Sequence, residues 1–241
     1  MSFFKKIIKK LIYGYSNSAE KIEKLRKSGV KIGDGVHLYD PFSINIDTTR
    51  PFAIQIGNNV HITSGVTILT HGFDHIVLKS KYNDVFGSFG KVQIDDNVYI
   101  GTNALILKGV HIHSNVIIGA GSVVTKDCES DSVYAGVPAR RICSLEEHYE
   151  KRKNAQLKEA LELFKSYYER YNQIPDKKIF SEFFYLFEDR NLPLLEEFKY
   201  QMNNNGNYEI CENEYLSGKG QHFESYEKFI DYCFDKLNIK K

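Results

Sequence analysis

The 241-residue chain has little that would mark a stapled, membrane-spanning or strongly charged protein. Its four cysteines, Cys128, Cys143, Cys211 and Cys233, form no short-spaced pair, which excludes a sequence-local zinc ribbon and a disulfide-dense scaffold. Lys plus Arg total 32 against 31 Asp plus Glu, so bulk charge points neither to a nucleic-acid binder nor to a disordered acidic chain. No segment offers the roughly 18 or more consecutive apolar residues of a membrane-spanning helix. Both the GxxxxGK[ST] phosphate loop and the GxGxxG fingerprint are absent, which leaves nucleotide hydrolysis and dinucleotide redox chemistry without support. The opening FFKKIIKKLIYG lacks an uninterrupted apolar run and a small-residue cleavage site, so the expectation is a soluble protein of the reducing cytoplasm rather than a secreted one.

What is present is a period of six. Aliphatic residues recur as Ile32, Leu38 and Ile44, as Ile56, Ile62 and Ile68, and as Ile94, Ile100, Ile106, Ile112, Ile118 and Val124. A second register of small residues runs through Val36, Val60, Val66, Val98, Ala104, Val110, Val116 and Ser122. Six positions fit a short strand and a turn, and three such units close a triangular coil of about 18 residues whose apolar interior becomes continuous only when coils stack. This predicts a parallel β-helix over 30–144. Gly33, Gly57, Gly101 and Gly119 follow strand aliphatics where coils approach closely, and Asn59, Asn97, Asn115 and Gly65 stand at corners that tolerate left-handed backbone.

The phase is lost between Ile68 and Val92, which predicts a loop excursion over 69–91. Before the solenoid, the pattern of residues 1–29 predicts a helical segment. Nine Lys or Arg against two Glu in residues 1–31, with Phe3, Phe4, Ile7, Ile8, Leu11 and Ile12 at helical spacing, fit a helix packed on the main domain or a basic helix on an anionic membrane surface. Beyond the solenoid, 145–241 reads as a helical bundle: a helix from Leu145 to about Tyr171, another amphipathic helix in KKIFSEFFYLFEDR, one near 194–202 and one from about Ser225 to Leu237. The aromatics of this region read as core rather than as a base-stacking surface.

The hexads, the IGAGSVVTKD stretch and the ending AGVPARRI make residues 30–145 resemble the hexapeptide-repeat acyltransferases, within them the maltose, galactoside and capsular-polysaccharide O-acetyltransferases. The resemblance implies a mainly β chain: a left-handed parallel β-helix with an N-terminal helix and a C-terminal helical appendage. It further implies acetyl-CoA as acyl donor, no required metal, and a homotrimer whose donor groove lies between neighbouring subunits. His71 matches the histidine that acts as general base; in the same loop, His75 is the alternative base and Asp74 a candidate to orient an imidazole or to bind a sugar hydroxyl. Asn45 and Asp47 match acceptor-binding positions. Gly101, Gly119, Ala120, Gly121 and Ser122 would line the pantetheine arm, and Lys126, Pro138, Arg140 and Arg141 would lie by the nucleotide end. His111 and His113 read as exposed corner residues.

The expected acceptor is a sugar hydroxyl of a cell-surface polysaccharide, such as capsule, or of a nucleotide- or lipid-linked precursor; nucleic acid is not an expected partner. The expected location is the cytoplasm, including the inner face of the cell membrane. An amino-sugar N-acetyltransferase and a non-catalytic β-helix that serves as a structural or binding platform are the alternatives.

Overall fold

In the computed structural model, residues 10, 12–191, 193–203 and 207–239 are described. The chain divides into two compact units, 1–148 and 149–241. Most of the basic segment expected at the N-terminus, including Phe3, Phe4, Ile7, Ile8 and Leu11, lies outside the described residues.

The first unit is a solenoid of very short strands: β1 (Lys31–Ile32), β2 (His37–Leu38), β3 (Asn45–Ile46), β4 (Ile54–Ile56), β5 (His61–Ile62), β6 (Thr67–Ile68), β7 (Val92–Ile94), β8 (Tyr99–Ile100), β9 (Leu105–Ile106), β10 (His111–Ile112), β11 (Val116–Ile118), β12 (Val123–Val124), β13 (Ser132–Ala135) and β14 (Arg140–Ser144). Strands three steps apart in the order pair in parallel, and three sheets result, ordered β1-β4-β7-β10, β14-β13-β11-β8-β5-β2 and β12-β9-β6-β3. Each sheet stacks one aliphatic per coil. Ile32, Ile56, Ile94 and Ile112 are level on the first, Leu38, Ile62, Ile100 and Ile118 on the second, and Ile46, Ile68, Ile106 and Val124 on the third. These side chains form one continuous core, which is why strands of two residues hold at all. The solenoid ends where β13 turns back on itself and pairs antiparallel with β14.

The structure departs from the sequence expectation in the early coils and in the overall class. The third-sheet position of the first coil belongs to Ile46, not Ile44, because the turn Pro41–Phe42–Ser43 adds two residues and shifts the hexad. Ile44 moves into the small-residue register, beside Val66, where it is still buried. Helix α1 (Ser18–Ser28) brackets this turn: its buried Lys21 donates from Nζ to the carbonyls of Pro41 and Ile44. As for class, strands hold two to five residues each, whereas a single helix, Leu145–Tyr171, holds 27, so the chain is not mainly β.

Asn59, Asn97 and Asn115 have φ near +55° and Gly65 has φ +72°, as the corners require. Gly101 answers a different need, since a Cβ there would lie 2.6 Å from Ala120 N and 2.8 Å from Ile118 O on the next coil. Within the excursion the structure inserts α2 (His75–Tyr82), closed by Asn83 in the left-handed region. The excursion returns to its origin, where Gly90 N donates to Thr70 O at 2.9 Å.

In the second unit, the latter part of α3 (Leu145–Tyr171), α4 (Glu196–Met202), α5 (Tyr208–Leu216) and α6 (Tyr226–Leu237) share a core of phenylalanines. Phe184 stacks on Phe198 at 4.8 Å and Phe187 on Phe229 at 5.1 Å. KKIFSEFFYLFEDR is not one α-helix but two 3₁₀ turns, Lys177–Phe180 and Phe184–Leu186. Phe180, Phe184, Leu186 and Phe187 are all buried, and a single α-helical face cannot bury Leu186 and Phe187 together with Phe184 as one narrow stripe. The helix Tyr208–Leu216 was not expected from the sequence. No described helix is long and apolar enough to cross a membrane.

Candidate active site

The third sheet positions the site. Asp47 follows β3 and His71 follows β6, the strand that pairs with β3. The two-residue addition at Pro41–Ser43 is what brings Asp47 level with Leu69, so that its carboxylate reaches past Thr70 to the imidazole. Asp47 Oδ2 lies 2.7 Å from His71 Nδ1.

Asp47 is itself almost completely enclosed. Oδ1 accepts from Thr49 N at 2.9 Å and Thr49 Oγ1 at 2.6 Å, and Oδ2 accepts from the backbone and hydroxyl of Thr70. Burial works to raise its pKa, but the hydrogen bonds from Thr49, Thr70 and His71 outweigh it and hold the carboxyl well below the usual range. A carboxylate that stays ionised only accepts, so the Nδ1 facing it must carry hydrogen. The neutral imidazole then has its lone pair on Nε2. The His71 side chain retains 16% exposure and meets the edge of Phe73 at 5.0 Å. A proton acceptor held in one tautomer is suited to general-base work on a hydroxyl.

The other expected site residues fall into distinct places. Asp74 stands at the N-cap position of α2, and the role weighed for it, orienting His71, is taken by Asp47. His75 opens α2 with its Nδ1 buried and without a hydrogen-bond partner. Asn45 is exposed on β3, level with Thr67. Ala120, Gly121, Lys126, Pro138, Arg140 and Arg141 are exposed on the last coils, and Gly119 is half-buried. Gly101 is buried, and Ser122 is fully buried with Oγ accepting from Gly136 N at 3.2 Å. Thr49 and Thr70, which hold the Asp47 carboxylate, carry no signal in the sequence beyond their proximity to Asp47 and His71.

The family description "Bacterial transferase hexapeptide (six repeats)" matches residues 91–126. Protein CapG of Staphylococcus aureus is 38% identical over 126 residues, which span 52% of this chain and 71% of that protein. The chain belongs to the hexapeptide-repeat acyltransferase family. Within the family, the galactoside O-acetyltransferase of Escherichia coli (strain K12) is 37% identical over 48% of this chain and 59% of its own length. A solved maltose O-acetyltransferase from Clostridium difficile 630 is 28% identical over 52% of this chain and 75% of its own, with a TM-score of 0.37. The alignments therefore reach about half of this chain, and hexapeptide-repeat membership describes that half.

Proposed function

We propose that the chain is an acetyltransferase that moves an acetyl group from acetyl-CoA to a sugar hydroxyl, in a cell-surface polysaccharide or its nucleotide- or lipid-linked precursor. The observation that carries this reading is the Asp47–His71 contact, which leaves Nε2 of His71 as proton acceptor. The names of the galactoside and maltose enzymes support oxygen of a sugar as the acceptor atom.

His71 Nε2 takes the proton of the acceptor hydroxyl as its oxygen attacks the thioester carbonyl carbon. The new C–O bond forms, the C–S bond breaks, and the imidazolium returns the proton to the departing sulfur. Asp47 remains a carboxylate throughout, fixing the tautomer and stabilising the imidazolium. Asp74 and His75 shape the loop, and Asn45 contributes to the acceptor side. Ala120 and Gly121 keep the donor surface low, while Lys126, Arg140 and Arg141 neutralise the phosphates of the coenzyme.

Residues 30–144 then constitute the transferase domain, a left-handed solenoid that assembles as a trimer with the donor between neighbours. The test is incubation with acetyl-CoA and saccharides from the producing cell, with free thiol and product mass followed together. A glycan without amino groups that gains the mass of one acetyl group supports the reading; acetylation restricted to amino sugars contradicts O-transfer.

A further inference from the structure

Away from the transfer site, the sheet β1-β4-β7-β10 carries a cluster of metal-ligating groups that the reaction does not use. Gln93 and His111 are level on neighbouring strands, and the next corner places Asp95 beside His113: Asp95 N donates to Ile112 O, and His113 N to Cys128 O. Asp95 Oδ2 consequently faces two imidazoles, 2.9 Å from His111 Nε2 and 3.5 Å from His113 Nδ1. The two rings are 3.8 Å apart, and the three ligand atoms all lie within 4.8 Å of one another.

The surroundings aim these atoms. Asp95 Oδ1 is occupied by Gln93 Nε2 at 3.0 Å, and Gln93 Oε1 by Lys91 Nζ at 3.0 Å, which turns Oδ2 toward the histidines. The His111 backbone is clamped on both sides, its N donating to Asp127 Oδ1 and its O accepting from Cys128 N. An outer shell that fixes carboxylate orientation, on a backbone that cannot drift, is the usual support of a metal ligand set. Two imidazole nitrogens and one carboxylate oxygen suit a borderline divalent ion, whose bonds of about 2.0–2.2 Å fit ligand atoms at these separations.

We propose that Asp95, His111 and His113 form a binding site for a divalent transition ion of the zinc class, with water completing the coordination, and that the ion staples two successive coils. Binding uses the lone pair of His111 Nε2, so the ring hydrogen is carried on Nδ1 in the bound form. The proposal is independent of the transfer reaction.

The experiment is calorimetric titration of the chelator-treated full chain with zinc chloride. One ion per chain is expected, with affinity at least tenfold weaker in His111→Ala and in Asp95→Asn, and unchanged stoichiometry in His71→Ala. Because a variant that misfolds would also lose binding, cobalt(II) is added to the wild-type chain in parallel. A visible ligand-field spectrum of a low-coordinate nitrogen–oxygen site, and a rise in Tm with added ion, are expected there. Failure of the wild type to take up either ion, or binding that survives in His111→Ala and disappears in His71→Ala, would overturn the proposal.

Discussion

Asp47 and His71 are 24 residues apart in the chain and 2.7 Å apart in space, joined by carboxylate Oδ2 and imidazole Nδ1. Asp47→Asn preserves the shape of the side chain but offers an amide N–H as readily as a carbonyl, so the imidazole loses its preference for hydrogen on Nδ1. A fall in kcat of roughly 10²–10⁴ with little change in KM for acetyl-CoA is expected from steady-state thiol release. Equal loss through KM alone would mean that Asp47 binds substrate instead.

The same carboxylate sets a pH dependence of stability. Its pKa is lowered on folding, burial being outweighed by the bonds from Thr49, Thr70 and His71. The folded chain therefore binds fewer protons than the unfolded one in acid. The contribution is complete above the unfolded carboxyl value of about 3.9 and is lost as pH falls toward the depressed folded value. Denaturant titrations between neutral and strongly acidic pH should show a shallower acid loss in Asp47→Asn than in the wild type.

Lys21 tests the turn that sets the early register. Its removal in Lys21→Ala leaves the Ile44 carbonyl without its buried Nζ donor and the Pro41 carbonyl with the Tyr15 hydroxyl alone, at a cost of about 1–3 kcal/mol. Because that turn positions Asp47, kcat should fall along with Tm. A variant with lower Tm and unaltered kcat would separate the turn from the site.

Much of this architecture was legible in the sequence, and the reasons for the exceptions are local. The stacks from Ile56 to Val124 follow the hexads because each coil repeats the same three-strand geometry. The partner of His71 was not legible, since a carboxylate 24 residues earlier meets the imidazole only through the stacking of one coil on the next, and the two added residues at Pro41–Ser43 set Asp47 level with Leu69 rather than with His71. Asp74, close in sequence, drew the orienting role, and a neighbouring coil supplied it. In the helical region, consecutive aromatics between Phe180 and Phe187 satisfy a helical pattern on paper while packing in several directions within one core. The cluster of Asp95, His111 and His113 was hidden for a related reason: these side chains meet only through coil stacking.

Coil stacking itself is tested at Gly101. In Gly101→Ala the added methyl meets backbone atoms of Ala120 and Ile118, which cannot rotate away. A loss of about 1–3 kcal/mol is expected by chemical denaturation. Since Ala120 adjoins the proposed donor surface, KM for acetyl-CoA should also rise.

The central claim is that His71 is the base, and its most direct test is single-turnover acetyl transfer by His71→Ala under conditions where acetyl-CoA is bound. The account predicts unchanged coenzyme affinity and a retained cooperative unfolding transition with a transfer rate reduced by about 10²–10⁴. Transfer at the wild-type rate by the folded variant would contradict it.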